Sequence, residues 1–177
     1  MSTDQSGSGD VSGGRRGSAR LSHVDGAGRA RMVDVSAKAV TRRRAVAEAV
    51  VRVSEDLARA IREQTLGKGD LASVVRLAGI QAAKRTGHLI PLCHPLALDH
   101  VGVEVDLDGC EVRITAEVVA TARTGVEMEA LTAVSVAALA VIDMGKSIDR
   151  GIVIERVRLL LKEGGSRGRW TVGSPKP

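Results

Sequence analysis

The chain has 177 residues, about one domain by length, with 44% hydrophobic residues, 27% charged residues and a formal net charge of +5. One Trp and no Phe or Tyr exclude the aromatic platforms on which single-strand nucleic-acid readers stack bases. Two cysteines separated by 16 residues exclude a disulfide scaffold and a CxxC-type zinc or redox site. A core of small aliphatic side chains buries little area per residue, so we expect subunits to associate.

The first 20 residues, of which ten are Gly or Ser, predict a disordered Gly/Ser/Arg leader without the apolar core of a secretory signal. The longest apolar run, residues 130–142, spans about 20 Å as a helix, which is short of the roughly 30 Å bilayer core. We therefore expect a buried helix, no membrane partner and a cytoplasmic location.

Alternating hydrophobicity over residues 42–53 predicts a strand. Ser54 fits an N-cap, and the spacing of apolar residues in 55–66 predicts a helix behind it. The sequence Gly67-Lys68-Gly69 breaks that helix. Asp70 then caps a second helix, whose apolar residues recur at spacings of three and four.

The rest of the chain predicts an extended loop at residues 92–94 and a hairpin of two strands, 100–107 and 110–119. A long helix at 125–148 and a last strand at 151–162 follow. Pro91 and Pro95 exclude a helix interior around the loop, and Asp108-Gly109 is a strong hairpin signal. The order of elements predicts an α+β fold. It is that of a ferredoxin-like sandwich with an antiparallel sheet and an extra helix in the first crossover.

Lys68 stands between two glycines directly before a predicted helix start, a position that suits a phosphate contact. Because the full GxxxxGK[ST] signature is missing, an ordinary turn with a solvated lysine is the favoured interpretation on these grounds alone. His94, on the proline-braced loop, fits a proton donor or phosphate contact as well as it fits a histidine bonded to backbone. Its neighbour Cys93 lacks partners at zinc-site spacing, so we expect no metal.

The long helix is apolar nearly all round, yet it carries Asp143 and Lys146 three residues apart, with Arg150 on the same face. Glu129, which is 14 residues before Asp143, falls within about 40° of it on the helix. Such charges either pair structurally or line a site, and the spacing leaves both interpretations open.

Several long strings occur in a fixed order: HVDGAGRARMVDVSAKAVTRR, KGD, AGIQAAKRT, LIPLCHPL, TGVEMEALTAVSVAALAVIDM and VRLLLKEGGSRG. With them the sequence resembles the cyclic pyranopterin monophosphate synthase family, the molybdenum cofactor biosynthesis protein C family. The resemblance covers residues 21–168, which we interpret as the synthase domain. It leaves the leader (1–20) and a flexible tail (169–177) outside.

The resemblance implies a ferredoxin-like fold, a homohexamer built as a trimer of dimers, and active sites at a dimer interface. It implies conversion of 3',8-cyclo-7,8-dihydro-GTP to cyclic pyranopterin monophosphate with release of pyrophosphate. We expect no cofactor. The implied catalytic residues are Asp143, Lys146 and Lys68. The implied substrate-binding and further functional positions are Leu92, Cys93, His94, Met128, Glu129, Arg43, Glu127 and Lys162.

The chain departs from the family at Gly145, where many relatives have Cys, and at Gly87-His88, where bulkier or acidic residues are common. The first departure excludes a role for that thiol here. Our hypothesis assigns proton transfer to Lys68 and Lys146, with Asp143 orienting Lys146 or acting as its partner base. Two rivals are a nucleic-acid-binding protein, disfavoured by the missing aromatics, and a non-catalytic nucleotide-binding subunit.

Overall fold

The computed structural model describes residues 28–166 and 168–173, so the leader lies outside the described residues. The elements, in chain order, are β1 (Thr41–Arg52), α1 (Glu55–Arg62), α2 (Leu71–Lys84), α3 (Thr86–Leu89), β2 (His100–Asp108), β3 (Glu111–Ala122), α4 (Glu127–Gly145), β4 (Val153–Glu163) and β5 (Trp170–Thr171). All of them belong to a compact unit that begins at Met32.

The strands form one antiparallel sheet in the order β2-β3-β1-β4-β5, with β1 in the middle. One face of β1 consists of the fully buried Ala45, Ala47, Ala49 and Val51, and α4 packs over it. Alanines suit this position because a small side chain lets a helix approach the sheet closely. The arrangement confirms the predicted α+β class and is compatible with a ferredoxin-like sandwich. The first crossover holds α1, α2 and the short α3.

Both predicted helix starts are confirmed by their capping hydrogen bonds. The Ser54 side chain accepts from the amide of Leu57, and the Asp70 carboxylate accepts from the amides of Ala72 and Ser73. The first helix ends earlier than expected, at Arg62, because the chain turns into the left-handed region at Gln64, where φ is 55°.

Three details differ from the sequence prediction. A short helix, α3, precedes the proline-braced loop, and the long helix is confined to Glu127–Gly145. Trp170 and Thr171, assigned above to the tail, pair with β4 as strand β5. The proposed domain boundaries themselves stay a prediction.

Helix α4 is long and apolar enough to cross a membrane by length and composition, with a mean hydropathy of 1.6 over its most apolar window. More than half of that window, 56%, is buried inside the protein. A core helix of a soluble protein passes the same test, and the fully buried Ala130, Ala133, Val134, Ala137 and Val141 pack in the central core. The prediction that the apolar run forms a buried helix is confirmed.

The outward face of the central strand carries Glu48, which is 5% exposed. Its carboxylate accepts hydrogen bonds from Arg113 on β3 and from Arg156 and Arg158 on β4. Burial alone would raise the pKa of this carboxyl, but the two β4 guanidinium groups outweigh burial and hold it below its usual range. The three strands are thereby joined across their outer face.

Candidate active site

Lys68, Asp143 and Lys146 meet at the C-terminal end of α4. Nζ of Lys146 donates to Oδ1 of Asp143 at 2.7 Å, and Nζ of Lys68 donates to Oδ2 at 3.1 Å. Nζ of Lys68 also donates to the backbone carbonyl of Asp143 at 2.7 Å. The three side chains are 46%, 61% and 60% exposed, so two ammonium groups face solvent around one carboxylate.

Local structure explains why these groups converge. The last carbonyls of an α-helix lack intrahelical donors, and the carbonyl of Asp143 takes the ammonium of Lys68 instead. The loop between α1 and α2 carries Lys68 to this position, turning through Gln64 at φ 55° and Gly69 at φ 91°. A cation there also interacts favourably with the negative end of the helix dipole.

The pKa of Asp143 lies below its usual range, because hydrogen bonds from Lys146 and then Lys68 stabilise the carboxylate. Asp143 is therefore ionised at neutral pH. An ionised carboxylate between two lysines suits orientation of their ammonium groups better than proton donation.

An open cavity of about 470 Å³ adjoins this cluster and is lined by Ile142, Lys146, Ser147, Asp149, Arg150 and Ile152. Its volume is typical of small-molecule sites. The carboxylate of Asp149 accepts from the amides of Ser54 and Gly151, both at 2.7 Å, so it holds the turn after α4. The helical spacing had placed Arg150 beside Lys146, but Ser147 and Ile152 carried no sequence signal.

A second group of residues lies at the N-terminal end of α4. Glu129 is 3% exposed, and burial, together with the charge of Glu127, raises its pKa to about 7. Burial also raises the pKa of the Cys93 thiol, and the nearby charge of Glu129 adds to the effect. Met128 is 37% exposed. A carboxyl with a pKa near neutrality can hold or release a proton under working conditions.

Leu92 and His94 flank Cys93 on the partly buried loop that follows α3. Of these loop residues, Cys93 is the one whose pKa is raised by the charge of Glu129. Among the described residues, no group of three or more His, Cys, Asp or Glu side chains is arranged to hold a metal ion.

Arg43 begins the inward face of β1 and is only 8% exposed. Its Nε donates to the carbonyl of Ala122 at 3.2 Å, and its Nη2 donates to the carbonyl of Arg123 at 3.3 Å. Lys162 on β4 pairs in register with Ala45, so it shares that face of the sheet. The carbonyls that Arg43 binds stand at the end of β3, and α4 begins a few residues later, at Glu127.

The two groups are far apart within one chain. Glu129 and Asp143 are 14 residues apart on a continuous helix, which corresponds to about 21 Å along its axis. The predicted common face of the helix is therefore not a common site. One subunit carries the lysine–carboxylate cluster of Lys68, Asp143 and Lys146 at the C-terminal end of α4. Glu129 lies at the N-terminal end, and Arg43 binds the backbone that leads into that end. Glu129, Arg43 and Lys162 are called the arginine group below.

A model of the MoaC family matches residues 32–165, which include all of the residues described above as site candidates. The chain belongs to the MoaC family. It is 54% identical over 152 residues to a cyclic pyranopterin monophosphate synthase of Novosphingobium aromaticivorans, covering 85% of this chain and 96% of that protein. It is 53% identical over 154 residues to a cyclic pyranopterin monophosphate synthase 2 of Mycobacterium tuberculosis, covering 87% and 92% respectively.

In this MoaC-family chain, neighbouring side chains fill the space beside Gly145, where many relatives have Cys. Gly145 is buried, and a Cβ built on it would lie 2.5 Å from Cδ2 of Leu57 and 2.9 Å from Cδ1 of Ile152. The side chains of α1 and of the segment before β4 thus fill the space that a thiol would take. The spacing of Asp143 and Lys146 is unaffected.

Proposed function

We propose that this protein is a cyclic pyranopterin monophosphate synthase. It converts 3',8-cyclo-7,8-dihydro-GTP to cyclic pyranopterin monophosphate and releases pyrophosphate, an early step of molybdenum cofactor biosynthesis. Relatives that carry this name share 53–54% of residues over 85–87% of the chain. The observation that carries the proposal is the ionised Asp143 held between the ammonium groups of Lys68 and Lys146.

The chemistry requires proton transfers while the modified purine is opened and rebuilt as a pterin, and a hydroxyl that attacks the α-phosphate to expel pyrophosphate. Lys68 and Lys146 perform proton transfers, and Asp143 orients both. The same ammonium groups offset the charge that builds on the phosphate oxygens.

The other group binds the substrate. Arg43 and Lys162 contact its phosphates, since a guanidinium offers paired donors to phosphate oxygens. Glu129, with its pKa near 7, holds the nucleobase or exchanges a proton with it. The remaining contacts come from Leu92, Cys93, His94, Met128 and Glu127.

Because Glu129 and Asp143 are about 21 Å apart along α4, we infer that one substrate reaches both groups where two chains meet. The active site therefore combines the lysine–carboxylate cluster of one protomer with the arginine group of its partner. The assembly is a homohexamer, a trimer of dimers. It acts in the cytoplasm without a cofactor, a nucleic-acid partner or a membrane.

Subunit mixing tests the shared site. Lys146→Met and Arg43→Ala each lower the turnover of the homo-oligomer strongly at substrate concentrations near the wild-type KM, but a hybrid dimer of the two has one site free of both substitutions. Co-expression of the two variants in equal amounts is expected to restore about a quarter of wild-type turnover. Light scattering should give a mass several times 18.5 kDa. An active monomer, or hybrids without activity, would contradict a shared site.

The activity itself is tested by incubating the purified protein with the cyclised dihydro-GTP and measuring pyrophosphate and the pterin product. Turnover is expected without an added cofactor. The Lys68→Met variant is the matched inactive control, because the backbone hydrogen bonds of the loop, from Thr65 to Ala60 and from Gly69 to Leu66, do not involve the Lys68 side chain. Binding of the nucleotide without pyrophosphate release at any enzyme concentration would contradict the proposed activity.

A further inference from the structure

Arg43 is a charged side chain in an unusual environment. It is 8% exposed and pairs with no carboxylate among the described residues, since its hydrogen bonds go to the backbone carbonyls of Ala122 and Arg123. The neighbouring Glu163 is engaged by Arg44 and Arg169. A nearly buried cation without a counter-ion is costly and is commonly retained to meet a charged ligand.

The hydrogen bonds also fix which part of the guanidinium remains available. Nε and Nη2 donate to the two carbonyls, at 3.2 and 3.3 Å. Both N–H groups of Nη1 and the second N–H of Nη2 are left, and Nη1 lies against the backbone of Gly165. The planar guanidinium is therefore held on one edge and supported on another before any ligand arrives.

The support consists of Gly164 and Gly165, which follow β4 with φ values of 95° and 74°. A Cβ at Gly165 would lie 2.0 Å from Nη1 of Arg43, and a Cβ at Gly164 would lie 2.3 Å from the carbonyl oxygen of Arg42. Neither distance is possible for a real side chain. Any other residue at 165 would displace the guanidinium by about 1 Å or more.

We propose that Gly164-Gly165 is a positioning element that holds the Arg43 guanidinium for the polyphosphate of the substrate. The inference rests on the proposed function. The carbonyls of Ala122 and Arg123 bind one edge of the guanidinium, and the glycine backbone lets Nη1 lie where a side chain would stand. The rigid placement lowers the entropy that Arg43 loses when phosphate binds.

A double-mutant cycle tests whether Gly165 acts through Arg43. Gly165→Ala is expected to weaken binding of inorganic pyrophosphate in calorimetry, and to lower kcat/KM mainly through KM, by at least about tenfold. In an Arg43→Ala background the same substitution is expected to change either quantity by no more than about twofold, since the group it displaces is gone.

Gly109→Ala is the matched control. Gly109 also has a positive φ, 56°, but a Cβ there meets nothing within 4 Å. The control carries the same kind of backbone strain and should keep pyrophosphate binding and turnover unchanged. If Gly165→Ala is destabilised or unfolded, its circular dichroism spectrum and thermal unfolding are compared with those of Arg43→Ala/Gly165→Ala. Recovery of folding in the double variant supports the clash, and no recovery overturns it.

Pyrophosphate binding by Gly165→Ala as tight as that of the wild type would overturn the inference. So would a loss of binding on adding Gly165→Ala to the Arg43→Ala background that equals the loss it causes in the wild type. Failure of the proposed function has a different signature. In that case the wild type does not turn over the cyclised nucleotide. The pyrophosphate-binding measurements on the Gly165 and Arg43 variants would still show whether Gly165 positions Arg43.

Discussion

Replacing Lys146 by Met is expected to lower turnover by at least ~10²-fold, the lower range for loss of a general acid or base. The substitution keeps the length and the apolar stem but removes the transferable proton. Stability should change little, because the ion pair with Asp143 joins side chains that are 60% and 61% exposed, and such pairs contribute about 0–1 kcal/mol. Steady-state kinetics and denaturant titration measure the two effects separately.

Lys146→Arg separates charge from proton transfer, because arginine keeps the charge but does not release its proton near neutral pH. We expect it to be as slow as the methionine variant. Lys84→Met, at the exposed end of α2, is the matched control and should turn over normally. Near wild-type turnover in Lys146→Arg would leave Lys146 a purely electrostatic role. Unfolding of Lys146→Met would instead make the ion pair structural.

Glu129→Gln is expected to remove a pH-dependent loss of stability. The pKa of Glu129 is about 7 in the folded protein and about 4.5 in the unfolded chain, so the folded state binds the extra proton between these values. Wild-type stability therefore falls as pH rises from about 4.5 to 7 and is level above that for this group. The glutamine variant should be more stable by roughly 3 kcal/mol at pH 8 and nearly equal at pH 4.

Denaturant unfolding at the two pH values and a fixed protein concentration measures this difference. Glu104→Gln, on the exposed edge of β2, is the matched control and should show no such pH dependence. The same Glu129→Gln variant should lose activity, since the amide cannot exchange a proton in the neutral range. Equal stability differences at pH 4 and pH 8 would show that Glu129 is not a buried, desolvated carboxyl.

Local sequence signals were sufficient for much of the fold. Capping side chains act over two or three residues, and so Ser54 and Asp70 identified the starts of α1 and α2. Alternating hydrophobicity identified β1, β2 and β3, because successive side chains of a strand face opposite sides of the sheet. The short α3 and β5 were missed because they lack a periodic pattern long enough to detect.

The candidate site likewise has a part that local sequence predicts and a part that it does not. The spacing of Asp143 and Lys146 is a property of one helical turn, and the resemblance to a family supplied the other residue types. No local rule places Lys68 on the carbonyl of Asp143, 75 residues away, or gathers three arginines around Glu48. Those contacts depend on strand order and on where a loop crosses a helix end.

Burial is the other property that only the tertiary structure decided. Glu129 and Asp143 lie on one helix and fall near one face by angle, yet one is buried with a pKa near 7 and the other is solvated with a lowered pKa. The sequence determined the residue types, their spacing and the elements that carry them. Packing determined their environment, because desolvation and long-range charge pairing depend on neighbours that are distant in the chain.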